Sequence, residues 1–169
     1  MARKNRGKAF EQRIKEACLS MPDVSVDRIP DQMGHYKGAR NICDFIVYKH
    51  PTEYYFECKS VYDTSFPLSN ITDDQLKGLV RKSNIPGVVA GIIVWFIDLD
   101  LTYFIPITYI RILKEAGIKS INPKKDYWGE LGTDLWKFPV SGKKDRVYYK
   151  YNLEPLFNQL KEYYLLWLD

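Results

Sequence analysis

The chain has 169 residues, 46% hydrophobic and 27% charged, with a formal net charge of +4. These values fit one folded domain and argue against an extended disordered chain. No apolar run approaches the ~20 residues a helical membrane span requires, and three irregularly spaced cysteines do not make a disulfide framework.

The N-terminus MARKNRGKAF is charged and lacks the apolar stretch of a signal peptide, so the expected location is the cytoplasm, where thiols stay reduced. No CxxC or HxxxH spacing points to zinc. The basic residues are clustered. Residues 1–16 hold six cations, Arg3, Lys4, Arg6, Lys8, Arg13 and Lys15, against Glu11 and Glu16. Lys77, Arg81 and Lys82 form a second group, and Lys143, Lys144 and Arg146 a third. Each is either a solvated surface or a phosphate-binding patch.

In chain order, residues 5–20 read as a helix, because Phe10, Ile14, Ala17 and Cys18 fall on one face. VSVDRI is a short alternating strand, and residues 30–41 form a polar loop containing Lys37 and Arg40. CDFIVYKHPTEYYFECKS, residues 43–60, reads as a strand, a turn and a second strand. Residues 70–84 form a helix opened by Thr72-Asp73-Asp74-Gln75, which has capping-box spacing, and closed by Pro86-Gly87. Residues 88–97 and 102–105 are strands, 107–116 a helix, 117–147 unassigned, and 153–168 a terminal helix. The order predicts an α/β fold with a central mixed sheet flanked by helices, in a single domain.

The hairpin carries the chemistry. If Tyr48 pairs with Glu53 around the loop of residues 49–52, then Val47 faces Tyr54, Phe45 faces Phe56 and Cys43 faces Cys58, which makes one side wholly apolar. The other side pairs Ile46 with Tyr55 and sets Asp44 opposite Glu57, with Lys59 two residues on. Carboxylates directly opposite each other destabilise a sheet and raise each other's pKa. A divalent cation such as Mg²⁺ resolves the conflict, and a lysine beside it can act on water or on a phosphate. The plainer alternative is an acidic pair at a sheet edge, neutralised by Lys59 or Arg40.

An aspartate and Glu-x-Lys on a hairpin, after a helix bearing Glu11, resemble the PD-(D/E)XK nuclease superfamily, whose core is restriction-endonuclease-like. Asn5-Arg6-Gly7 with Phe10-Glu11, then Phe66-Pro67-Leu68, Asn70 and Gln75, the strand over residues 88–96, and Tyr103 with Ile105-Pro106 resemble RecU-type Holliday junction resolvases, and the opening motif also resembles archaeal Hjc resolvases. The resemblance implies metal ligation by Glu11, Asp44, Glu57 and the carbonyl of Cys58, catalysis by Glu11, Asp44, Glu57 and Lys59, and positioning of the site by Gln75. It implies a homodimer that binds four-way DNA junctions and nicks them in symmetric pairs with Mg²⁺ or Mn²⁺, in a bacterial or phage-infected cell. DNA contacts are expected from Arg3, Lys4, Arg6, Lys8, Lys37, Arg40, Lys77 and Arg81.

In that frame residues 1–6 are a basic arm, residues 30–41 a stub in place of the long stalk of bacterial RecU proteins, and residues 117–169 a C-terminal extension ending in a helix. The compact build resembles a phage-encoded relative or an Hjc-like protein. Competing readings are another nuclease on the same core, of restriction or repair type, and a non-catalytic junction-binding protein. Gly7, costly in a first helical turn, marks either a fraying helix start or a place where the backbone must come close to something such as a phosphate. Cys43 is expected to face the same core as Phe45 and to carry no catalytic role.

Overall fold

The computed structural model describes residues 6–29, 41–128 and 136–165. A six-stranded mixed sheet is built from β1 (Val24–Arg28), β2 (Phe45–Lys49), β3 (Thr52–Val61), β5 (Val88–Phe96), β6 (Leu101–Pro106) and β8 (Phe138–Pro139), in the order β1-β2-β3-β5-β6-β8. β3 and β5 run parallel and all other neighbours antiparallel. Helices α1 (Arg6–Leu19) and α4 (Glu154–Leu165) cover one face, and α2 (Asp73–Ser83) and α3 (Ile107–Glu115) the other. Two short strands, β4 (Phe66–Pro67) and β7 (Ser120–Ile121), pair beside α2 and α3. No helix among the described residues is long and apolar enough to cross a membrane.

Local sequence explains most of these elements. β5, VVAGIIVWF, is buried from its second residue onward because helices cover both its faces. Gly91 interrupts this apolar run because a Cβ there would sit 2.5 Å from the Ile105 carbonyl oxygen and from the Phe104 ring. α2 begins on a complete capping box: Gln75 N–H donates to Thr72 Oγ1, and Thr72 N–H donates to Gln75 Oε1, each at 3.2 Å. α1 buries Phe10, Ile14, Ala17 and Cys18, the face its spacing predicts.

The hairpin has the expected register from Phe45–Phe56 to Tyr48–Glu53, and it then continues. Lys49 also pairs with Thr52, so the turn tightens from four residues to His50-Pro51, joined by a cis peptide. At the other end the ladder stops at Phe45. Asp44 N–H bonds the Phe56 carbonyl, not that of Glu57, and the chain turns over. Cys43 therefore does not face the core of Phe45 and Val47; it packs in the opposite core with Tyr55, Leu79 and Ile92.

The stretch over residues 117–147 contains β7, β8 and β9 (Ser141–Asp145), which pairs with β10 (Tyr148–Asn152) as a separate hairpin against α1. β8 extends the main sheet beyond β6. The terminal helix starts at Glu154, whose N–H is accepted by Asn152 Oδ1.

Candidate active site

Asp44, Glu57, Lys59 and Gln75 meet where β2 leaves the ladder. Asp44 ties three strands together: its carbonyl accepts from Ile29 N–H, its N–H donates to Phe56 O, and its Oδ2 accepts from Cys58 N–H at 2.7 Å. That last bond substitutes a carboxylate for the missing ladder partner and fixes where the carboxylate lies. Glu57 is 4% exposed. Lys59 Nζ and Gln75 Nε2 both reach its Oε1, each at 2.7 Å. Gln75 thus uses its oxygen to start α2 and its nitrogen to hold Glu57, which joins the two roles its sequence context allowed.

Burial, and then the nearby charge of Asp44, push the Glu57 carboxyl up to about 7, against the opposing pull of Lys59 and Gln75. Burial also lifts the Cys58 thiol well above its ordinary range, helped by Asp44, Glu57 and Glu11. The negative charge is therefore concentrated around Cys58. Cys43 lies near the same carboxylates, and its thiol is pushed up to about 12, first by burial and then by Glu57 and Asp44. Both thiols are thus kept protonated and unreactive.

Glu11 adds its charge near Cys58 from α1. Its carboxylate lies 3.5 Å from Arg28 of β1, on the flank of α1 that faces that strand. Among the described residues no three His, Cys, Asp or Glu side chains gather closely enough to hold an ion together. The close carboxylates are Asp44 and Glu57.

The expected DNA contacts divide between the two faces. Arg6 lies over the Tyr62 ring at 5.2 Å, just past β3. Lys8 is exposed on α1, and Lys77 and Arg81 are exposed on α2, across the sheet. Both helices bring their N-terminal turns to the same end of β3. Gly7 approaches Ser60 and Gln75 holds Glu57. A Cβ on Gly7 would meet nothing nearer than Ser60 Oγ at 3.9 Å, so packing within the described chain does not require glycine there. Arg3, Lys4, Lys37 and Arg40 lie outside the described residues.

Two neighbours of the site were not anticipated. Lys82 sits 4.8 Å over the Tyr55 ring. Gly78 of α2 is packed against Ile42, two residues before Asp44. The first was hidden in a basic cluster, and the second carries no local signal beyond a glycine in a helix.

A family model, RecU (Recombination protein U), matches residues 23–127, which include the hairpin, β5 and the capping box of α2. The chain belongs to the RecU family. The match leaves out α1, with Arg6 and Glu11, and everything after Tyr127. Among solved structures, this RecU-family chain is similar to Archaeoglobus fulgidus Hjc, a Holliday junction resolvase from an archaeal hyperthermophile, at 16% identity and a TM-score of 0.46, over 61% of this chain and 78% of that one. No curated protein matches it.

Proposed function

We propose that this RecU-family chain is a structure-selective endonuclease that resolves four-way DNA junctions by paired, symmetric nicks. The observation that carries the reading is the buried Glu57, held on one oxygen by Lys59 and Gln75 with Asp44 alongside. A fold gains nothing from burying a carboxylate next to another that raises its pKa. A phosphodiesterase site has a use for that charge.

The donor set fits Mg²⁺ or Mn²⁺. These are hard cations that take carboxylate and carbonyl oxygens, and Mg²⁺ is commonly held by one or two carboxylates, with waters and phosphate oxygens completing its shell. Asp44, Glu57 and the Cys58 carbonyl would hold it, with Glu11 adding negative charge from the Arg28 side. When bound, such an ion supplies charge neutralisation at the phosphate and Lewis acidity toward water.

The chain's own residues do the rest. Asp44 is held in place by the Cys58 N–H. Gln75 fixes the orientation of Glu57. The Lys59 side chain is 25% exposed while its ammonium stays on Glu57, so it can also reach a phosphate oxygen and stabilise the charge that develops there. Arg6, at the same end of β3, stands where it can pair with an adjacent phosphate. Recognition is by shape and backbone charge. A homodimer would present two such sites related by a two-fold axis, which matches the approximate symmetry of a four-way junction.

The test is cleavage in Mg²⁺ of a labelled four-way junction against a linear duplex of the same sequence. Opposed nicks in the junction with the duplex intact are expected. Cutting of the duplex would make the chain a nuclease of another specificity. Binding with no cleavage in either Mg²⁺ or Mn²⁺ would make it a junction-binding protein.

A further inference from the structure

The β9–β10 hairpin lies beyond the residues matched by the family model and takes no part in the site described above. Three of its features run against what the fold alone favours. Lys143 stands directly opposite Lys150, and like charges in register destabilise a two-stranded ribbon. Arg146, in the two-residue turn, adopts φ 57°, where glycine or asparagine is at ease and a long side chain is not. Beside it Val147 is 49% exposed at the tip. All five residues of β9 are exposed.

The acids nearby do not cancel this charge. Lys144 is paired with Asp100 at 2.5 Å, and Asp145 with Arg13 at 3.6 Å. Among the described residues Lys143, Arg146 and Lys150 have no acidic partner. The ribbon is anchored through its tyrosines, which lie on both of its faces. Tyr151 packs against Phe10, Tyr148 against Trp95 and under Arg13, and Tyr149 donates to the Asp100 carbonyl. The result is a fixed ribbon that holds Lys143, Arg146 and Lys150 exposed, not a loose solvated loop.

Its position gives that charge a use. Arg6 and Arg13 are seven residues apart and so lie on one flank of α1, separated by ~10 Å along its axis. Arg6 marks the site end of that flank and Arg13 touches the hairpin. A duplex presents a negative charge every ~1.7 Å of its axis, so DNA lying over Arg6 reaches the hairpin within a few base pairs.

We propose that the β9–β10 hairpin grips the sugar–phosphate backbone of one duplex arm beside the cleavage site, through Lys143, Lys150 and Arg146. The role rests on the junction-nuclease reading and adds to it a DNA-binding surface outside the family's matched region.

The test is a salt titration of junction binding, without divalent cation, using the full chain. Lys143→Gln/Lys150→Gln should make the dependence of log K on log salt shallower by about 1.8, at ~0.9 per phosphate contact. Single-turnover cleavage at saturating protein should be unchanged. The control is Lys49→Gln/Lys161→Gln, which removes equal charge at the end of the sheet away from Asp44 and should keep the wild-type slope. Arg146→Gly should raise the melting temperature by relieving the turn, yet weaken junction binding, a combination no structural role produces. An unchanged slope in the double variant, or an equal change in the control, overturns the proposal while leaving the nuclease reading intact. A wild-type chain that binds no junction overturns both.

Discussion

Gly78 offers a sharp test of how the site is held. An ideal Cβ at this position lies 2.2 Å from Ile42 Cγ2 and 2.9 Å from Ile42 Cβ, where carbon atoms normally rest ~3.5–4.0 Å apart. Rotating the Ile42 side chain relieves the first contact but not the second, so in Gly78→Ala either the backbone before Cys43 or α2 must move by about 1 Å. Helix propensity favours alanine by ~1 kcal/mol. Overpacking costs ~1–3 kcal/mol, so the net effect on stability is a loss of about 0–2 kcal/mol. The effect on cleavage should be larger, because Asp44 lies two residues from Ile42 and a shift of about 1 Å in a reacting geometry can cost ~100-fold. Single-turnover cleavage of the junction should fall by one to two orders of magnitude (~10–100-fold) while urea denaturation shows a modest change. Ile42→Ala in the same chain should restore part of the rate, an interaction a double-mutant cycle can measure. If Gly78→Ala raises the melting temperature and cuts at the wild-type rate, the contact does not constrain the site and the reasoning fails.

Asp44→Asn keeps an acceptor for Cys58 N–H, so it should fold, bind junctions and fail to cut; Asp44→Ala should also lose ~1–3 kcal/mol by orphaning that N–H, a difference visible in denaturant titrations. Glu57 gives a pH signature. Its folded-state pKa of about 7 lies above the ordinary 4.5, so the metal-free folded chain holds a proton that the unfolded chain releases. Stability from this group is complete below about pH 4.5 and lost as pH rises through 7, on the order of 3 kcal/mol in all. Melting temperatures across that window should decline in the wild type and stay flatter in Glu57→Gln; matching curves would mean that Glu57 is ionised throughout. Deleting residues 1–4 removes Arg3 and Lys4 and should flatten the salt dependence of DNA binding by about 2 in slope, and an unchanged slope would reject the arm as a phosphate contact.

Much of this arrangement was legible because the informative signals were local. Thr72 and Gln75 declare a helix start by spacing, and β5 declares a buried strand by composition. The hairpin's register followed from the demand that one side be apolar. The reading failed at Cys43, because the turnover there depends on Asp44 bonding Cys58 N–H with its side chain, a contact between residues fourteen apart that no pattern encodes. β9 and β10 escape a pattern reading for a different reason. Period-two alternation arises from one buried face, and SGKKD buries neither. Gly78 gives no local signal because its partner, Ile42, lies far away in sequence.

The double use of Gln75 limits what evolution or an engineer can place there. Its oxygen is committed to the Thr72 N–H and its nitrogen to Glu57, so the side chain must accept at one end and donate at the other, at that length. Glutamate would keep the helix start but set a third negative charge against an already crowded pair. Lysine or arginine would satisfy Glu57 but leave the Thr72 N–H half of the cap without its acceptor. Asparagine has the right chemistry but is one methylene short. Histidine, with one donor and one acceptor when neutral, has the wrong span and gains a second donor when protonated. Among these residues only glutamine makes both bonds, and a chain that carries another there has changed either one half of its helix cap or the chemistry of its carboxylate.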